Sequence, residues 1–173
     1  MADRDDRDGA GDGGGFASPA CAMREAEDGY MGFASTAELG DALQELLEAE
    51  RAGARVALES ARGAAAGDIV RLMQTVHRDE ARWCAMLSGH IKRLGRPPST
   101  RVGSFHARAM AIADPLERIA FLNRGQGWVV RRLREILPRV RDEALHQDLS
   151  AMLQGHEDNI ALAAGVAQQR PPA

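Results

Sequence analysis

Four stretches of this 173-residue chain repeat apolar residues with the period of an α-helix, and a single polar side chain breaks each stripe at its centre. Leu43, Leu46, Ala54 and Ala57 flank Glu50 in the first stretch, and Met73, Val76, Cys84 and Leu87 flank Glu80 in the second. In the third, Ile119, Leu122, Val130 and Leu133 surround Gln126. In the fourth, Leu149, Met152, Ile160 and Ala163 surround His156. Each set lies four and seven residues to either side of its centre, which at about 100° per residue keeps it within about 40° of the central side chain. Helices striped on one face need other helices to bury them. Nothing alternates over the length of a strand, so the sequence predicts an all-α fold.

The breaks between stripes set the wiring. Ser35 and Thr36 are candidate N-caps for a first helix over 36–65, which ends in the AAAG of 64–67. A second, over 69–94, follows Asp68 and stops at Gly95-Arg96-Pro97-Pro98. Asp114 and Pro115 open a third over 115–137, and a fourth covers 141–166. Short connections make hairpins of helices one and two and of three and four. Residues 95–114 form a long crossover with a short helical piece around 105–112. Two hairpins and a crossover are one way to wire a four-helix bundle. The expected domains are a disordered acidic, Gly-rich tail over 1–34, the bundle over 35–167 and a flexible tail over 168–173.

Charge and composition narrow the function classes. No apolar run approaches the roughly 20 residues that a membrane-spanning helix needs. The net charge is −3, and residues 1–30 carry eight Asp/Glu against three Arg, leaving about +2 on the remainder. That balance argues against a generic binder of nucleic acid or membrane surfaces. Cys21 and Cys84 form neither a disulfide framework nor a CxxC motif. The acidic start has no secretory h-region, so a cytoplasmic protein is expected. The one lysine, Lys92, beside twenty-one arginines is read as composition bias.

The four polar residues also share a level. Residues face each other across an antiparallel hairpin when the turn lies midway between them. Glu50 and Glu80 have their midpoint at 65, and Gln126 and His156 at 141, each inside a predicted turn. Two carboxylates, an amide and an imidazole are therefore expected to meet in the middle of the core. A buried carboxylate costs several kcal/mol unless it is paired, protonated or metal-bound, so the cluster is either a ligand site or a hydrogen-bonded network.

This layout resembles the ferritin-like superfamily, over about residues 36–166. The segments FLNRGQGWVV and DEARW resemble an uncharacterised bacterial family of ferritin-like domains. In the di-iron members, helices one and three each supply a Glu, and helices two and four each supply Glu-x-x-His. By position, Glu50 matches the first Glu and Glu80 the Glu of the second-helix motif. Trp83 stands where that motif has His, Gln126 where the third helix has Glu, and His156-x-x-Asn159 replaces the fourth-helix motif. Trp83 cannot coordinate, and its indole fills the volume of one metal. The resemblance thus implies a degenerate di-metal site. Glu50, Glu80 and His156 remain as a set that suits a single Fe, Mn or Zn ion. The alternative is a metal-free network in which the carboxylates share a proton.

Other constellations carry less. Glu143-x-x-His146 lies about 80–140° around the helix from His156, which suggests a surface pair. His77 and His90 flank the second stripe and are read as boundary histidines, and His106 lies on the crossover. Arg131, Arg132, Arg134, Arg139 and Arg141 read as a solvated face, with an anion patch as the sharper alternative. Gly125 and Gly127 bracket Gln126 at about 1 kcal/mol each relative to Ala, which points to close helix approach or to space for a small ligand. Trp83 and Trp128 read as core anchors.

The expected function is a non-catalytic helical bundle whose di-metal position survives as a buried polar network. A mononuclear Fe, Mn or Zn protein handling redox or oxygen chemistry is the alternative, and an anion binder is a third reading. No nucleophile–base pair or phosphate loop is visible. No partner is specified, and a homodimer is one assembly compatible with the bundle.

Overall fold

The computed structural model describes residues 31–169. Within them are five α-helices, one 3-10 turn and no strand, so the chain is all-α over the described residues. The helices are α1 (Thr36–Gly63), α2 (Gly67–Arg93), a short α3 (Phe105–Met110), α4 (Pro115–Ile136) and α5 (Glu143–Gln168). The expected C-terminal tail over 168–173 is overlapped by α5, which runs to Gln168, and its positions 170–173 lie outside the described residues. So do positions 1–30 of the expected N-terminal tail. Within its remainder, Ala34 is held by the fold: its N–H donates to the Arg139 carbonyl at 2.9 Å. None of the five helices is long and apolar enough to cross a membrane.

Local chemistry explains the boundaries. Ser35 and Glu38 close a reciprocal capping box at the start of α1, satisfying two otherwise orphaned backbone donors. The Glu38 carboxyl is held down at about 2, chiefly by the Ser35 backbone N–H and then by Arg139. Asp114 caps α4 through Glu117 N–H with Pro115 in the first turn, and Asp142 caps α5 through Leu145 N–H. At the far end of α2, Gly95 adopts a φ of +74°, which favours glycine. Asp68 falls inside α2 and is not its cap, since the helix begins one residue earlier, at Gly67.

Helices α1 and α2 pack along one another, as do α4 and α5, and the pairs meet through α1 on α4 and α2 on α5. Fourteen of the sixteen stripe positions are buried, and only Cys84 and Ile160 are half-buried. The apolar interior is nevertheless in two parts. One cluster joins Leu43, Leu47, Leu87, Leu133 and Met152, and the other joins Val56, Met73, Val76, Leu122 and Ala163.

The crossover is pinned to α1. Gln44 receives the Ser99 N–H at 2.7 Å and donates to the Pro97 carbonyl, while Glu48 accepts from both the Ser99 hydroxyl and Arg101. Phe105 of α3 stacks on Phe121 of α4 with centroids 4.9 Å apart. Close approach is the reason for Gly125: a Cβ there would meet the Phe105 ring at 2.7 Å. Gly127 has no such neighbour, its nearest atom being the Arg131 guanidinium at 3.7 Å.

The two glycines should therefore respond oppositely to alanine. Gly127→Ala should gain up to about 1 kcal/mol from helix propensity. Gly125→Ala should lose about 1–2 kcal/mol net, because overpacking against Phe105 outweighs that gain. Urea denaturation of both variants checks this.

Candidate functional site

Glu50, Glu80, Gln126 and His156 occupy the gap between the two apolar clusters, each between 1 and 3% exposed. All four line one cavity of about 720 Å³ that opens between α1 and α4 beneath the crossover. The site thus joins residues from all four long helices. His156 Nε2 lies 3.2 Å from Glu50 Oε1, at ion-pair distance but outside hydrogen-bond alignment.

Glu80 is accommodated by a missing side chain. A Cβ on Gly53 would meet the Glu80 carboxylate carbon at 2.7 Å, so the carboxylate occupies space any larger residue would take. Burial pushes the Glu80 carboxyl well above the ordinary glutamate value, and the nearby Glu50 and then Asp79 push it further. One turn along, burial and then Glu50 raise the Cys84 thiol to about 12, so it stays protonated and unreactive.

Several buried polar atoms here have no hydrogen-bond partner in the protein: Glu50 Oε2, Glu80 Oε2, both ends of the Gln126 amide and both His156 ring nitrogens. Natural cores rarely leave such groups unpaired, because each costs about 1–3 kcal/mol. Among the described residues, no three His, Cys, Asp or Glu side chains are grouped closely enough to hold a metal ion.

The other positions singled out by sequence fall to either side of the cluster. Trp83 is buried against the backbone of Gly155, where a Cβ would lie 3.0 Å from the ring, and Arg82 covers the ring at 4.5 Å. Asn159 is buried but turns to Asp79, donating to its Oδ2 at 3.2 Å. Trp128 is half-buried, packs against the first apolar cluster and also lines the cavity. His90, read as a boundary residue, is buried and bonded to Asp148 at 2.7 Å, with Arg93 against its ring. His77 donates from Nδ1 to the Ala54 carbonyl at 2.9 Å. Glu143 and His146 are exposed. In the arginine-rich stretch, Arg132 pairs with Glu45 and Glu135, Arg134 with Glu157, and Arg139 with Glu38.

Sequence reasoning missed the cavity and its outer residues, among them Phe105, Arg108, Phe121 and Arg124. It also missed Gly53 and Gly155. Their signal was available, since both are mid-helix glycines within three residues of a stripe centre.

The Glu80 shift fixes the sign of a pH effect. The folded state keeps this proton above the pH at which the unfolded chain releases it. Stability therefore falls as pH rises from the ordinary value near 4.5 toward the raised folded value, by about 1.4 kcal/mol per pH unit for this group. Glu80→Gln should flatten that decline and raise the melting temperature at alkaline pH. Calorimetric melts across pH 5–9 test it, and an unchanged pH profile would contradict the assignment.

No curated protein and no solved structure matches the chain. A family model, by contrast, covers most of it, and over residues 37–165 the chain belongs to the family described as Domain of unknown function (DUF6306).

Proposed function

We propose that this chain is a ferritin-like four-helix bundle without catalytic activity, in which a hydrogen-bonding polar layer stands where related bundles hold two metals. The observation that carries this reading is the joint burial of Glu50, Glu80, Gln126 and His156 between two apolar clusters, with Trp83 beside them. Two metals need more donors than two carboxylates and one imidazole. The second-helix position that would supply another holds an indole packed on Gly155. The residues present do not fit a di-metal centre.

A protonated Glu80 relieves the layer of one buried charge without an ion. Two adjacent buried anions repel strongly, and keeping one neutral removes that repulsion and supplies a hydroxyl donor. Glu50 then faces His156, and the Gln126 amide offers both a donor and an acceptor.

The unpartnered oxygens of Glu50 and Glu80 and the free nitrogens of His156 favour a second reading, in which these three residues take one Fe, Mn or Zn ion. Such an ion would supply Lewis-acid or redox chemistry, and closing around it would require the three side chains to draw together.

Elemental analysis of protein purified without a chelating tag separates the two. The first reading expects no stoichiometric metal, and a Glu50→Gln variant whose stability changes by less than about 1 kcal/mol, because the amide keeps the shape and relieves Glu80. One equivalent of Fe, Mn or Zn that disappears in Glu50→Gln, with a lowered melting temperature, would establish the second instead.

A further inference from the structure

The cavity has two chemically distinct ends. Its inner end carries the unpartnered polar atoms of Glu50, Glu80, Gln126 and His156, which together can both give and accept hydrogen bonds. Its walls are apolar, with aliphatic side chains such as Val102, Leu122 and Val129 beside the aromatic Phe105, Phe121 and Trp128. At its outer rim stand Arg108 and Arg124, with guanidiniums 5.2 and 5.3 Å from the centre of the same Phe121 ring. Neither has an ion-pair partner among the described residues, although both line the cavity. The rim acids are differently placed, since Glu45 is paired with Arg132 and Glu48 with Arg101 and Ser99. The excess positive charge at the mouth thus belongs to two arginines beside one aromatic ring.

We infer that this cavity binds a small aryl carboxylate bearing a hydrogen-bonding group at the end opposite its acid. The volume of about 720 Å³ lies within the range of small-molecule pockets, and an apolar lining with a few convergent polar groups is their usual construction. Each part of such a ligand answers a deficit in the protein. The carboxylate lies between Arg108 and Arg124 and offsets their mutual repulsion, and guanidiniums bind carboxylates through paired N–H donors. The ring lies among Phe105, Phe121 and Trp128, where offset or edge-to-face contact is favourable. The distal hydroxyl or amide reaches the Gln126 amide and the Glu50 carboxylate, giving bonds to atoms that otherwise lack them. A simple amine is a poorer occupant, because its charge would have to pass two unneutralised arginines.

The inference rests on the metal-free reading of the inner end, where an ion would occupy the atoms assigned to the distal group. Metal content measured on the same preparation keeps the two apart. A stoichiometric ion overturns the metal-free reading, while the arginine end is scored independently.

Four probes with the full chain test it by titration calorimetry: para-hydroxyphenylacetate, phenylacetate, para-cresol and tyramine. The hydroxy acid should bind most tightly, and loss of either the carboxylate or the hydroxyl should weaken binding about tenfold. The double variant Arg108→Ala/Arg124→Ala should weaken the hydroxy acid by a similar factor and leave para-cresol unchanged. Gln126→Leu should weaken the hydroxy acid and leave phenylacetate unchanged, a selectivity that loss of fold would not produce. Arg134→Ala, away from the cavity, should alter none of the four. Tyramine binding as well as the acid, indifference to the arginine pair, or no heat from any probe at millimolar concentration would each overturn the proposal.

Discussion

Four polar side chains at one level of a helical interior are costly to desolvate, and much of the surrounding structure accommodates them. The layer of Glu50, Glu80, Gln126 and His156 divides the apolar interior into two clusters, one containing Leu43, Leu87 and Met152, the other Val56, Met73 and Ala163. Each cluster supplies hydrophobic burial on its own side, and neither continues through the polar level. The helices are correspondingly long: 28, 27, 22 and 26 residues give each one apolar surface above and below the layer.

Glycine accommodates the layer where helix propensity argues against it. Gly53 leaves room for the Glu80 carboxylate, and Gly155 leaves room for the Trp83 indole beside His156. Gly125 seats Phe105 next to Gln126. Each glycine sits inside a helix at a cost of about 1 kcal/mol relative to alanine. Their placement beside Glu50, His156 and Gln126 follows from the layer, since bulky groups and charges crowd at that one level. At Gly127, one residue beyond Gln126, the crowding has already ended.

The helices and their inward residues were legible because both follow from local rules. Period, caps and prolines placed α1, α2, α4 and α5 to within a few residues, and the midpoint of each hairpin set the level of its two polar residues. What escaped depends on contacts between elements that sequence spacing does not relate. Asn159 shares the inner face of α5 with His156, yet its partner is Asp79 on α2, which also raises the Glu80 carboxyl. His90 lies well off the stripe centre and is still buried, because Asp148 on α5 meets it. Angular position on a helix reports which way a side chain leaves its own axis. It does not report what stands opposite.

The cavity was hidden for the same reason. Within each hairpin the two helices pack continuously, and small residues such as Ala42, Ala52 and Ala57 are fully buried on α1. Helices α1 and α4 meet across a more open boundary, with α3 and the crossover between them. The crossover is tied to α1 by side chains of Gln44 and Glu48, and α3 is tied to α4 by the stacking of Phe105 on Phe121 at Gly125. The width of the opening is therefore set from both sides by polar anchors on one helix and an aromatic anchor on the other. The same aromatic pair carries Arg108 and Arg124, so the residues that hold the roof in place also bring positive charge to the entrance. A loop that served only to connect the hairpins would need neither the aromatic seat of Phe105 nor Arg108 at the cavity mouth, and their coincidence over a polar floor makes the crossover part of the cavity wall.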